Sequence, residues 1–259
     1  MELINNKTII FFSLIFIMSL WEKKNPSSYP KPSISNKIHS LFISMTNTFF
    51  NKLLLPLGVV GSVKFLHSYA PLYQNPLENF QTAYFITSFL ILDLAIYFQH
   101  RLFHLIPSLW RLHRAHHSAA FMDVTLGLRF HPIEIILSAC IRIIIISCFS
   151  LSIEAYMIFD IWLMSCSMFH HGAIKLPKRF ETFLGYFIIT PRLHLLHHSI
   201  KSSECHSNFG FSFSLWDQLF KSRTSFIDPQ NFELGVRGFQ KDSEQKTFAI
   251  WKSPFKKML

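Results

Sequence analysis

Three short groups of histidines carry the spacing of a metal chelator: His100 and His104 in HRLFH, His113, His116 and His117 in HRAHH, and His194, His197 and His198 in HLLHH. On a helix, positions i, i+3 and i+4 share one face, so each group is expected to direct its imidazoles at a common point. His131 in RFHPIE and the pair His170 and His171 in FHHGAIKLP extend the set. A lone histidine is ordinarily a packing residue, and His39 and His67 are read that way. Eight imidazoles gathered beside apolar segments are different, because such groups are costly near hydrocarbon unless ligated or hydrogen-bonded. Imidazole suits zinc, copper, nickel and iron, and one closed zinc site takes only four ligands, so eight to ten histidines imply two metal ions. Carboxylates are missing from inside the groups, which argues against a carboxylate-bridged helical bundle. No HExxH is present, which argues against a zinc protease. Haem held between facing spans is disfavoured because the groups collect at one membrane face.

The elements that must position these groups are apolar. Spanning hydrocarbon takes about 20 helical residues, and four segments approach that length: 8–21, 46–66, 83–98 and 133–169. The second is interrupted by Asn47, Asn51, Lys52 and Pro56, and reads as re-entrant or interfacial. The last is too long for one crossing and is divided near Ser150, Ser152 and Glu154, so it is expected to be a hairpin of two spans. A hairpin returns the chain to the face it left, which places His131 and His171 on one side, together with the segments 100–131 and 171–223. Arg142 and Asp160 inside it are expensive in lipid and are expected to face the bundle interior or a headgroup.

Half of the residues are hydrophobic and only 15% are charged, a balance that points to a membrane, and 29 phenylalanines fit lipid-facing helices better than a soluble core. The net charge of +10 is spread over loops and ends with no compact basic motif interleaved with stacking aromatics, which excludes nucleic acid as a partner. Lys23, Lys24, Lys31 and Lys37 near one end, and Lys241, Lys246, Lys252, Lys256 and Lys257 near the other, place both ends on the cytoplasmic side. The run 8–21 resembles a signal-peptide core, but Glu22, Lys23 and Lys24 follow it in place of a small-residue cleavage site, so it reads as an anchor. Cys140, Cys148, Cys166 and Cys205 show no CxxC spacing and read as buried, inert thiols. The fold class expected is all-α, an integral membrane helical bundle with a histidine-rich di-metal site at its cytoplasmic face.

The ordered set DLAIYFQHRLFH, LWRLHRAHHS, RFHPIE, FHHGAIKLP, TPRLHLLHHS and NFGFSFSLWDQLF, spanning about 90–221, resembles the fatty acid hydroxylase (sterol desaturase-like) superfamily. The resemblance implies a membrane enzyme with two iron ions that uses dioxygen and electrons to hydroxylate or desaturate lipids and sterols. By position it implies His100, His104, His113, His116, His117, His194, His197 and His198 as metal ligands, joined by His171 and by His131 of the HPxE element. His170 falls where glutamine is usual, which implies that glutamine there is tolerated. Asp93 matches an aspartate expected to orient a ligand imidazole, and Asn208 is carried over as the second polar residue of the catalytic site, with Gly210, Trp216 and Asp217 keeping the rest of that element. Two departures stand close to the metals: Ala173 replaces an asparagine and His206 an aspartate. Residues 1–82 then read as anchor and interfacial helices, 83–225 as the catalytic domain, and 226–259 as a tail without recognisable chemistry.

Attack on an unactivated C–H bond is beyond acid–base side chains and is delegated to metal and dioxygen. A lipid substrate reaches such a site from the bilayer, in the bacterial inner membrane or the endoplasmic reticulum. No HPGG haem element or iron–sulfur cysteine motif is present, so a separate redox protein is the expected electron donor, docking on the basic face. Hydroxylation of an acyl or alkyl chain is favoured over desaturation because few spans are available to build a sterol-shaped pocket. The rival from another class, a membrane metal-binding or transport protein, would place its ligands at mid-membrane depth rather than at span ends.

Overall fold

The computed structural model describes residues 6–69, 75–224 and 232–256; the expected boundary at 225/226 and Lys257 lie outside them. The protein is all-α. Helices α1 (Lys7–Lys24), α2 (Ile34–Leu54), α3 (Gly58–Tyr69), α4 (Gln81–Leu105), α5 (Pro107–His117), α6 (Pro132–Phe149) and α7 (Ile153–His171) lead to the short α8 (Lys178–Leu184), α9 (Pro191–His197), α10 (Ser202–Cys205), α11 (Leu215–Leu219) and α12 (Thr247–Lys252). Among the described residues the only β pairing is three isolated bridges.

Three stretches are long and apolar enough to cross a membrane: Ile34–Tyr69, Gln81–Leu105 and Pro132–Phe149. Their surfaces are those of helices bathed in lipid. Helix α2 buries Asn36, Ser40, Ile43 and Asn47 while Ile34, Ile38, Phe42, Met45, Phe49 and Leu53 stay exposed, the reverse of a helix that folds in water. The segment 46–66, expected to be re-entrant or interfacial, belongs to two helices, the first of which begins already at Ile34. The break falls at Pro56, whose missing N–H cannot continue the helical ladder, and Gly58 turns the chain with a φ of 62°.

The turn expected near Ser150 joins two helices, α6 and α7, of which α6 is one of the three stretches above and α7 is not. Helix α6 stops at Phe149, Ser150 takes a left-handed φ of 43°, and Ser152 caps α7 by accepting from the Ala155 amide at 3.1 Å. Val63, Leu92, Ile96, Ile143, Ile146 and Phe159 form the apolar core between α3, α4, α6 and α7. Arg142 and Asp160, each costly alone, meet across the hairpin at 3.2 Å, with Lys7 of α1 also on Asp160. Cys148 is exposed on α6 rather than buried.

Turns at the opposite end of the bundle carry the chemistry. Pro107 opens α5 directly after α4, Pro132 opens α6, and Pro191 opens α9, each at a first helical turn where its missing N–H is harmless. The segment 232–256 folds back over the same end. Arg114 of α5 donates to the Ser253 carbonyl at 3.1 Å, and buried Arg129 donates to Gln245 Oε1 and Ser118 Oγ, both at 2.8 Å. His39 pairs with Thr247 Oγ1 at 3.0 Å, away from the other histidines.

Candidate metal centre

Nine of the ten histidines expected as ligands come together in two buried groups. One holds His100, His104, His113, His117 and His197; the other holds His116, His171, His194 and His198, and in each the ligand atoms lie within 4.8 Å of one another. The grouping corrects the expectation that each sequence motif serves one point. HRAHH sends His113 and His117 to the first group and His116 to the second, while HLLHH sends His197 to the first and His194 and His198 to the second. Residues four apart diverge by only about 40° around a helix, whereas adjacent residues diverge by about 100°, so HRAHH and HLLHH each straddle two centres while HRLFH, with histidines only four apart, serves one.

The first group has a definite shape. The His104 ring lies 5.1, 5.0, 4.7 and 4.4 Å from those of His100, His113, His117 and His197. Those four close a ring of their own, with successive centroids 4.9, 4.8, 4.7 and 4.5 Å apart. His104 therefore caps a square of four imidazoles. The two groups share a wall in which His117 stacks on His198 at 4.3 Å.

Outward hydrogen bonds fix the tautomers. His100 donates from Nδ1 to the Phe209 carbonyl, His197 to that of Ser207, and His171 to that of Ser167, each at 2.7 Å; His116 donates to the Arg129 carbonyl at 3.2 Å and His113 to Glu134 Oε1 at 2.6 Å. A neutral imidazole has one N–H, so each of these rings turns a bare Nε2 lone pair inward. Those lone pairs nearly touch. Nε2 of His100 lies 2.9 Å from that of His197 and 3.1 Å from that of His113, and Nε2 of His171 lies 2.9 Å from that of His116. Protonation does not relieve the clash, because burial, aided by the neighbouring imidazoles, holds His116, His117, His194, His197 and His198 well below the usual histidine range. Lone pairs converging at such distances are stable around a cation, and the donor set, all nitrogen and all neutral, fits a divalent transition metal in each group.

Other expected site residues lie outside the two groups. His131 caps α6 instead: its Nδ1 accepts from the Ile133 amide and its Nε2 donates to the Trp251 carbonyl, both at 3.2 Å, so neither nitrogen is left for a metal. Asp93 touches no imidazole. It accepts from Trp216 Nε1 at 2.7 Å and so anchors the loop whose Phe209 carbonyl holds His100. Asn208 acts through the backbone in the same loop. With a left-handed φ of 52°, it donates to the Leu193 carbonyl at 3.0 Å and accepts from the Thr224 amide at 3.0 Å, which aims the carbonyls on either side of it at His197 and His100. Asp217 completes the turn by accepting from the Phe209 and Gly210 amides, and a Cβ on Gly210 would stand 2.6 Å from the Phe213 carbonyl. His206 is exposed beside Ser202, and Ala173 sits fully buried.

Two functional side chains went unassigned from sequence. Cys205 Sγ lies 3.8 Å from Nδ1 of His104 and 3.9 Å from Nδ1 of His117; burial pushes its thiol up to about 12, so it stays protonated while its sulfur faces both rings. Glu134 is the other, and its signal was the acid in HPIE. A carboxylate behind a ligand imidazole holds the ring and raises its basicity, and losing one costs about 10–100-fold in metal affinity or activity. Glu134→Ala is therefore expected to lower both by that amount, with Glu134→Gln retaining most of each; chelator competition on the purified variants checks it, and parental affinity in the alanine variant would count against the role.

The model of the family described as fatty acid hydroxylase matches residues 85–222. An ornithine lipid hydroxylase, OlsE, of Rhizobium tropici is 27% identical over 154 residues, which cover 59% of this chain and 45% of that protein, so the chain spans less than half of the relative's length. No solved structure matches the chain. A match over more than half of the sequence, running from within α4 through α11 and enclosing every histidine of both groups, means that this chain belongs to the fatty acid hydroxylase family.

Proposed function

We propose that the protein is a membrane lipid hydroxylase that holds two iron ions in its two histidine groups and inserts oxygen from dioxygen into an acyl or alkyl chain. The convergence of unprotonated Nε2 atoms from His100, His197, His116 and His171 carries this reading, because nothing in the protein itself satisfies them. When bound, the iron pair supplies the oxygen chemistry that side chains lack. The chain's own residues bind the ions, exclude water and orient the lipid.

The groups lie at the span end of α4, α6 and α7, within reach of a chain lying in the bilayer. Phe130 stacks on His116 at 4.3 Å, and Phe211 stands 5.9 Å from His100 while packing against the apolar core of the bundle. Both phenylalanines are only half-buried, whereas the histidines are sealed, so the pair marks the side from which an alkyl chain approaches. That slim aromatic approach and the lipid hydroxylase among the relatives both favour an acyl lipid over a sterol. Electrons come from a separate redox protein at the basic face, which we assign to the cytoplasm.

Purified protein loaded anaerobically with iron is expected to take up about two ions per chain, since nine imidazoles exceed one coordination sphere. In vesicles with a reduced donor and labelled dioxygen, membrane lipid should gain one labelled oxygen. Loss of two hydrogens without label would make the enzyme a desaturase, and one tight zinc without iron would sink both.

A further inference from the structure

His170 stands outside the nine histidines and is the anomaly of the site. It is fully buried and, apart from the Phe211 backbone beside it, neither of its ring nitrogens meets a hydrogen-bond partner; among the described residues no other histidine has both nitrogens buried and outside a well-formed hydrogen bond. Such a side chain is expensive unless something absent from the protein itself occupies one nitrogen.

Its position says what. In the second group the His171 ring lies 4.7, 5.1 and 4.2 Å from those of His116, His198 and His194, just as His104 stands over its square. Around it, His116 to His198 and His198 to His194 are each 4.8 Å, which makes three corners of a square and leaves the fourth empty. The His170 ring is 4.6 Å from the capping His171 and 4.0 Å from the corner His194. We propose that His170 is the fifth nitrogen donor of the second group, so that both metals are held by the same capped square of imidazoles. The proposal rests on the reading of the two groups as metal sites. As the protein stands, the His170 nitrogens lie outside the four that fall within 4.8 Å of one another, so the ring turns about its Cβ–Cγ bond to bring one in. That torsion is soft. The resemblance implied that glutamine is tolerated at 170, whereas the capped square gives glutamine only a partial hold, since an amide oxygen is a weaker donor than imidazole toward iron.

Anaerobic titration of the full-length chain with cobalt(II), followed by absorption and by chelator competition, tests this without turnover. The parent is expected to take up two ions. His170→Phe should take up one, with the spectrum of the five-histidine half intact, and His170→Gln should keep two with the second held about 10–100-fold more weakly. His170→Gly should return to two when free imidazole is added, which a merely structural role would not allow. Two ions at parental affinity in His170→Phe, or loss of both ions in every variant without rescue by imidazole, would overturn the assignment. A parent chain that takes up a single ion overturns the di-metal reading itself, and the role of His170 falls with it.

Discussion

His197→Ala is expected to abolish turnover, with activity falling at least about 100-fold and one metal lost from the pair. His197 sits at the seam of the two groups. Its Nε2 lies 2.9 Å from that of His100, its Nδ1 donates to the Ser207 carbonyl, and its ring stacks on His194 at 5.2 Å. Removing it opens one corner of the square beneath His104 and frees a wall of the second group, and small misplacements of reacting groups cost about two orders of magnitude. His113→Ala and His117→Ala, which take other corners of that square, should behave alike. His67→Ala provides the contrast, because His67 lies in α3 outside both groups and its loss should leave activity near parental. Lipid turnover together with metal content on the same preparations decides the matter; full activity in the three site variants would refute the assignment of this group.

Deleting residues 232–259 should be nearly as damaging, though no side chain of that segment belongs to either histidine group. Arg114 of α5 loses the Ser253 carbonyl and Arg129 loses Gln245, leaving two buried guanidiniums without those acceptors. A hydrogen bond to a charged group contributes about 1.5–3 kcal/mol, so the loss is several kcal/mol, concentrated beneath the helix that carries His113, His116 and His117. His131 also loses the Trp251 carbonyl. The expected result is a chain that inserts in membranes but takes up little metal. A milder variant, Gln245→Ala, should weaken metal uptake without unfolding the bundle, as read by helical circular dichroism and metal content. Parental uptake after the deletion would show that the segment only covers the site.

Much of the site was legible from residue types and spacing, because chelation imposes periodicity. His113 and His117, or His194 and His198, are four apart for the same reason that any helix face repeats. The hairpin was legible from length alone, since 133–169 cannot cross once, and its turn at Ser150 and Ser152 brings the histidines to one end as that topology requires. The segment 46–66, read as re-entrant or interfacial, belongs to two helices broken at Pro56, and lipid-facing helices reverse the usual pattern. In α2 the polar Asn36, Ser40 and Asn47 face inward, so of the four interruptions Asn47 belongs to the packed face, while Lys52 and Pro56 are exposed.

Sequence by itself determined that this is an apolar helical bundle with a histidine-rich end, for both properties reside in composition and local period. Which histidine joins which group was decided by tertiary structure. A helix sets only the angle between neighbouring side chains; the packing of α5 and α9 against the ends of α4 and α7 divides HRAHH and HLLHH between two centres. The supports were likewise invisible in one dimension. Carbonyls of Ser167, Ser207, Phe209 and Arg129 fix the imidazole tautomers, and backbone has no residue signature. His131 reads as a ligand by its motif yet caps α6, because both of its nitrogens are taken by main chain that only the fold brings within reach.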